Sequence, residues 1–242
     1  MAASSNRSRL EPASRSTTKP IASPRTEIRT GTKAAKRAEK RPVTASSQKA
    51  KKFGKPAEGS SKVVSSKLAF KGKVFNVYTD TVVEPGGHKV VRDVIRHNGS
   101  VVILAVDEST SPSDPDVILE RQYRHAAGQT LIEVPAGTRD ANEAPLAAAK
   151  RELLEETGYR AKRWTMLVKY FASPGFLGEW MQVYLAQDIR PGTATPEADE
   201  NLEVFRLPLS KVMEMIAAGE IHDGKTLIAL SLFDTARREG RL

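Results

Sequence analysis

From about Val63 onward, apolar and polar positions fall into short runs with a two-residue period, broken by turn residues. "KVFNVYTDTVVE" and "KVVRDVIRH" alternate in this way and are separated by "PGGH", a hairpin signal. "SVVILAVD" and "DVILERQYRH" follow, with the polar loop "ESTSPS" between them. "TLIEVPAG" is a further short strand, and "RWTMLVKYFAS", "WMQVYLAQDI" and "ENLEVFRLP" come later in the chain. "SKVMEMIAAGE" and "KTLIALSLFDTARRE" carry the helical period, the first with Ser210 as its expected N-cap. Strands outnumber helices, and the helices are interspersed. This pattern predicts an α+β or α/β layered body built on a mixed sheet.

One more helix is predicted between "TLIEVPAG" and "RWTMLVKYFAS". Asn142 is its expected cap, Pro145 sits in its first turn, and Gly158 falls where a left-handed residue ends a helix. The predicted span is 143–157. With Glu152 at 0° and about 100° per residue, Glu156 falls at about 40° and Glu155 at about 300°. Three carboxylates thus share one arc. Leu146 and Leu153 lie near 100–120° as a neighbouring apolar stripe, suited to burial against a sheet. Like charges four residues apart repel, and the helix C-terminus is itself electronegative. Arg151 borders Glu155, but one guanidinium cannot neutralise three carboxylates. Either the arc is a solvated acidic face, or it is built to take a hard divalent cation through oxygen ligands.

Composition separates the two ends of the chain. The net charge is +9 over 242 residues. Residues 1–62 hold 16 Lys and Arg against 4 acids, while the rest holds 22 against 25. The basicity therefore belongs to the leading segment, which has Phe53 as its only aromatic. Too apolar-poor to offset its ordering entropy, residues 1–62 are expected to be a disordered basic tail. Three roles are open for it: a solubilising spacer, a tether to nucleic acid or anionic surfaces, or an organelle transit peptide. The chain has no cysteine, which excludes disulfides and thiolate chemistry and fits a reducing, cytoplasmic setting. No apolar run is long enough for a membrane span.

Spacing then decides between the readings of the acidic arc. Gly137, Glu143, Arg151-Glu152, Leu153, Glu155-Glu156, Gly158 and Tyr159 follow G-x5-E-x7-R-E-U-x-E-E-x-G-U, where U is bulky and apolar. Seven fixed positions at roughly 7% usage each give a chance match on the order of 10⁻⁸ per start. The segment resembles the Nudix box, with Tyr159 where an aliphatic is usual. The resemblance implies a Nudix fold: a mixed sheet between helices, preceded by a small antiparallel sheet. That divides the chain into residues 1–62 (tail), 63–97 (small sheet, exchanged between subunits of a homodimer) and 98–242 (hydrolase domain).

The resemblance also implies the chemistry, which is hydrolysis of a nucleoside diphosphate linked to another moiety, with Mg²⁺ or Mn²⁺ as cofactor. Glu152 and Glu156 would be the principal metal ligands, joined by Glu155 and the main-chain carbonyl of Ala136. Glu143 and Arg151 would pair structurally, and Gly137 and Gly158 would permit the turns at each end. Flanking residues resemble the ADP-ribose pyrophosphatase branch: "LIEVPAG" leading into the box with Glu133, "RQYRH" with Arg121 and Arg124, "SPGFLGE" with Pro174 and Glu179, and "IHDGKTLIAL" near the end. Arg124 would contact the diphosphate or terminal ribose. Glu179, or a box glutamate such as Glu152 or Glu155, would be the base for the attacking water. In the small sheet, Arg92 and His97 would be substrate-facing or fold-stabilising, and Phe75 or Tyr78 would either stack on adenine or belong to the core. The branch implies ADP-ribose as substrate. ADP-glucose and GDP-mannose remain as other sugars, and an ADP-ribose sensor remains as the non-enzymatic alternative.

Overall fold

Alternation along "SVVILAVD" sends one set of side chains to each face of a strand, and both sets are apolar. Such a strand must be covered on both sides. A computed structural model describes residues 60–72, 75–195 and 202–242, all within one compact unit, Gly54–Leu242. The tail expected over residues 1–62 lies outside the described residues except for its last three, and Lys62 already opens a strand.

Among the described residues, ten strands form two sheets. The smaller is antiparallel, in the order β1 (Lys62–Lys71), β2 (Asn76–Val83), β3 (Lys89–Arg96). β1 falls almost wholly within the small sheet expected over 63–97, but no alternation marked it as a separate strand. All ten of its residues are exposed, so no burial pattern marks it, and its pairing with β2 slips register twice. The β2–β3 turn closes with Gly87 at φ +82°, as "PGGH" requires.

The larger sheet comprises β4 (Ser100–Asp107), β5 (Asp116–Arg124), β6 (Gln129–Glu133), β7 (Ala136–Thr138), β8 (Tyr159–Phe171), β9 (Trp180–Pro191) and β10 (Leu202–Pro208). Its central order is β10-β5-β4-β9-β8, with β4 parallel to β9 and the other pairs antiparallel. This is the mixed sheet expected from the sequence. β4 and β5 pair only at Val106–Val117 and Asp107–Asp116. Beyond that point they part, β7 hydrogen-bonding to β4 and β6 to β5. The split in the sheet opens the cleft described below.

Helices cover both faces. α1 (Pro145–Thr157) packs Ala148, Ala149 and Leu153 on Val101, Ile103, Ala105 and Ile118. α2 (Leu209–Ala217) and α3 (Gly224–Arg238) cover the other face, where Val212, Leu230 and Phe233 meet Val102, Leu104, Leu119 and Leu185. Truncating a fully buried leucine such as Leu153 to alanine costs roughly 2–5 kcal/mol, so this contact is a substantial anchor of α1. Among the described residues, no helix is long and apolar enough to cross a membrane.

Three local expectations are corrected. Asn142 is not the cap of α1. It sits at φ +68°, a left-handed conformation that asparagine tolerates, and Ala144 is the cap residue before Pro145, which starts the helix two positions late. Leu146, in that first turn, is 37% exposed and does not join the core. Nor does Ser210 cap α2, which begins after Pro208. Instead Asp114, from the β4–β5 loop, accepts from the Ser210 N–H at 2.8 Å and hydroxyl at 2.7 Å and does the capping from outside.

Candidate active site

The divergence of β4 from β5 leaves a cavity of about 370 Å³, lined by Ser100, Arg124, Glu133, Gly137, Glu179 and Lys225, among others. A larger concavity, about 750 Å³, lies between the ends of α2 and α3. Its Asp114 and Ser210 are engaged in capping α2, and Arg238 is paired with Asp234, so the chemistry gathers in the smaller cleft.

On the α1 side of the cleft, the acidic arc faces inward. Glu152 and Glu156 are only 8% and 5% exposed, so the helix buries two of its three arc carboxylates beside Leu153. Gly137 makes this fit. A Cβ there would overlap the Glu152 carboxylate carbon and both of its oxygens. The residue pairs with Val101 within β7 and has no positive φ. Its lack of a side chain therefore provides room for Glu152 and not, as expected, freedom to turn. Gly158 does end the helix at φ +72°, its N–H donating to Leu154 O at 2.9 Å.

Arg151 gathers the neighbouring carboxylates. Its guanidinium lies 2.9 Å from both Glu152 and Glu155, and it donates twice to Glu143 at 3.1 Å. Hydrogen bonding to Glu143, then to Glu155, raises its pKa despite partial burial. The same bond from Arg151 holds the Glu143 carboxyl below its ordinary value, assisted by the Asp140 N–H. Glu155 sits at the exposed rim of the group.

The facing wall comes from β5, β6 and the start of α3. Arg124 grips Glu133 in a two-point ion pair, Nε to Oε1 at 2.8 Å and Nη2 to Oε2 at 2.6 Å. Lys225 bonds the same Oε2 and lies 3.1 Å from Asp223. Burial alone would push the Glu133 carboxyl up, but the Arg124 hydrogen bond and the Lys225 charge outweigh it and bring it below the ordinary range. Glu120, fully buried, lies directly across from Glu133 in the β5–β6 register.

Glu179 closes the cleft from the β8–β9 loop. Its Oε1 accepts from the Ser100 hydroxyl at 2.6 Å and lies 3.6 Å from His97 Nδ1, which itself accepts from the Gly99 N–H at 3.1 Å. The loop is pinned to the small sheet. Ile95 N–H donates to Phe176 O, and Gly178 N–H donates to Ile95 O, each at 2.8 Å. Pro174 lines a separate apolar hollow of about 300 Å³ with Ile95 and Phe176, so it shapes the loop outside the cleft. Tyr170 donates to Met181 Sδ at 3.0 Å. Burial, reinforced by Asp223 and Glu179, pushes its phenol up to about 12 and keeps it neutral.

Not every sequence candidate reaches the cleft. Arg121 belongs to the other side of β5, by the two-residue period, where it pairs with Glu203 at 2.7 Å and stacks on Phe205. Arg92 pairs with Glu84 at 3.0 Å on the small sheet. Tyr78 has the Arg96 guanidinium over its ring at 4.2 Å, and Phe75 is exposed. Conversely, Ser100, Asp223 and Lys225 line the cleft without having been singled out. For Asp223 a signal was present: three residues before Thr226, it has the spacing of an N-cap, and its carboxylate accepts from the Thr226 N–H at 3.0 Å.

The family description "NUDIX domain" matches residues 96–230. The chain belongs to the Nudix family. It is 33% identical over 171 residues to the ADP-ribose pyrophosphatase of Bacillus subtilis, covering 70% of this chain and 90% of the relative. It is 36% identical over 170 residues to the ADP-ribose pyrophosphatase of Mycobacterium tuberculosis, covering 68% and 79%. A crystal structure of an ADP compounds hydrolase shares the fold with a TM-score of 0.64 at 23% identity, covering 76% of this chain and 97% of that one.

As a Nudix protein, the chain should have a box that accommodates Mg²⁺. Its donors are all hard oxygens, which suits that ion. Among the described residues, no three acidic or histidine side chains already converge as a ligand cluster. Mg²⁺ does not require this. It is commonly bound through one or two carboxylates, with phosphate and water completing six positions. The cradle that Gly137 leaves for Glu152, beside Ala136 and with Glu156 one helical turn further on, fits that demand.

Proposed function

We propose that this Nudix hydrolase, which acts on phosphoric anhydride bonds, cleaves ADP-ribose to AMP and ribose 5-phosphate with Mg²⁺, Mn²⁺ being able to replace it. The observation that carries the reading is the opposition of three groups across one cleft: Glu152 seated against Gly137, Arg124 held by Glu133, and Glu179 held by Ser100. Glu152, Glu156 and the Ala136 carbonyl would hold the metal, with Glu155 at the rim. When bound, the ion supplies neutralisation of the diphosphate oxygens and polarisation of the attacked phosphorus. Arg124 orients the diphosphate. With both nitrogens of one edge committed to Glu133, its Nη1 is left to donate to the substrate. Glu179 accepts a proton from the attacking water, its carboxylate aimed by the Ser100 hydroxyl. The anhydride P–O bond breaks as the new P–O bond to water forms, and each product leaves as a phosphate monoester.

Dimerisation through the small sheet belongs to the same reading. Val63, Val64, Leu68, Phe70 and Val91 are all exposed there, and so much apolar surface on a three-stranded sheet favours a second copy as cover. A panel of ADP-ribose, ADP-glucose and GDP-mannose assayed for phosphomonoester release tests the substrate. The highest kcat/KM is expected with ADP-ribose, and preference for another sugar would overturn that choice.

A further inference from the structure

The first turn of α3 enters the cleft with a buried cation that the reaction as described does not use. Lys225 is 8% exposed, bonds Glu133 Oε2, and lies 3.1 Å from Asp223 Oδ2. Asp223 is itself fixed, as it caps α3 and accepts from both the Thr226 N–H and hydroxyl. Thr226 Oγ1 in turn accepts from the Val134 N–H at 2.9 Å, joining α3 to the segment that follows β6. A chain of contacts thus runs from the α3 terminus through Lys225 and Glu133 to Arg124.

Two roles for Lys225 can be separated on physical grounds. As part of an anion trap it would need surplus positive charge. The group has no such surplus, since Arg124 and Lys225 are set against Glu133 and Asp223, with the buried Glu120 acting on Arg124 as well. As a simple tether for α3 it is a poor choice. Ordering a long side chain and stripping an ammonium of water are both unfavourable, and Thr226 already ties the helix to the sheet. What Lys225 adds is a third hydrogen bond to Glu133, whose two oxygens seat the Arg124 fork. A carboxylate held from two sides cannot rotate, so the guanidinium plane is fixed as well.

We infer that Lys225 is a positioning residue for Arg124, locking Glu133 so that the guanidinium meets the substrate diphosphate already oriented. The inference rests on the reading that this cleft binds a nucleoside diphosphate sugar. Its consequence is a binding effect and not a chemical one. Misorienting Arg124 weakens the grip on a group that is present in ground state and transition state alike.

Steady-state kinetics with ADP-ribose on the full chain test it, using Lys225→Met, Lys225→Arg, Arg124→Ala and the Lys225→Met/Arg124→Ala double variant, each first checked for a cooperative thermal transition. Arg124→Ala is expected to raise KM about 10- to 100-fold. Lys225→Met is expected to raise KM about tenfold with kcat within about threefold, and Lys225→Arg to recover part of the loss. In the Arg124→Ala background, Lys225→Met is expected to change KM by less than about twofold, because its effect passes through Arg124. If Lys225→Met does not fold, Lys225→Gln, which keeps a donor for Glu133, is carried through the same cycle. Equal effects in the two backgrounds, or an unchanged KM in both Lys225 variants, would overturn the inference while leaving the substrate reading intact. An Arg124→Ala enzyme with unchanged KM would overturn both.

Discussion

Glu152 occupies the space that a side chain on Gly137 would fill. The glycine is therefore a fitted element of the site, placing a carboxylate against the β-strand that borders the cleft. Gly137→Ala is expected to push Glu152 aside, cutting kcat by at least roughly a hundredfold and costing about 1–3 kcal/mol of stability from overpacking. Turnover at saturating Mg²⁺ together with chemical denaturation checks both numbers. Unchanged turnover would show that Glu152 need not sit there.

The Ser100 hydroxyl holds Glu179 Oε1 at 2.6 Å. Removal of a general base costs about 10²–10⁴ in rate, so under the proposed mechanism Glu179→Gln should fall in that range. Ser100→Ala leaves the carboxylate in place but free to rotate, and a smaller loss of about tenfold in kcat with KM preserved is expected. Rapid-mix single-turnover assays separate this from any change in product release.

Arg151 contacts Glu143, Glu152 and Glu155 at once. Replacing it with methionine leaves three carboxylates repelling one another. Because the group is partly exposed, a loss of roughly 1–3 kcal/mol in EDTA is expected, below the full value for a buried pair. Mg²⁺ should then stabilise Arg151→Met more than wild type, since the ion replaces the missing charge. Calorimetry with EDTA and with Mg²⁺ reads the difference directly.

Glu143 titrates below its ordinary 4.5 in the fold because Arg151 donates to it, with a further bond from the Asp140 N–H. Just below pH 4.5 the unfolded chain takes up this proton before the folded one does. The contribution of Glu143 is therefore fully present above that pH and is lost as pH falls through the depressed value. Urea midpoints measured in EDTA should decline below about pH 4.5, and Glu143→Gln should flatten part of that decline.

How much of this could be read beforehand depended on whether the deciding contact was local. α1 was visible because its glutamates, Leu153 and Gly158 lie within a few turns of one another, and β4 because both of its faces are apolar. β1 was not, since a strand with every residue exposed carries no burial pattern. Gly137 was recognised but misjudged. Its need for empty space comes from a side chain fifteen positions away, and only the packed helix reveals it. Asn142 and Ser210 had the right chemistry for caps, yet Ala144, just ahead of the proline that starts α1, holds the first cap position, and an aspartate from a distant loop caps α2. Lys225 and Glu133 are 92 residues apart, a pairing that no local pattern encodes. Arg121 and Arg124 look alike in sequence, but the strand period sends them to opposite faces.

The central claim is that the box glutamates and the facing Arg124 and Glu179 form one metal-dependent hydrolytic site. Its most direct test is the initial rate of AMP release from ADP-ribose by the purified chain, with Mg²⁺ and with excess EDTA, for wild type and Glu156→Gln. Stoichiometric AMP and ribose 5-phosphate are expected in Mg²⁺, with release abolished by EDTA and reduced at least roughly a hundredfold by Glu156→Gln. AMP release by Glu156→Gln at the wild-type rate, or equally fast release in EDTA, would contradict it.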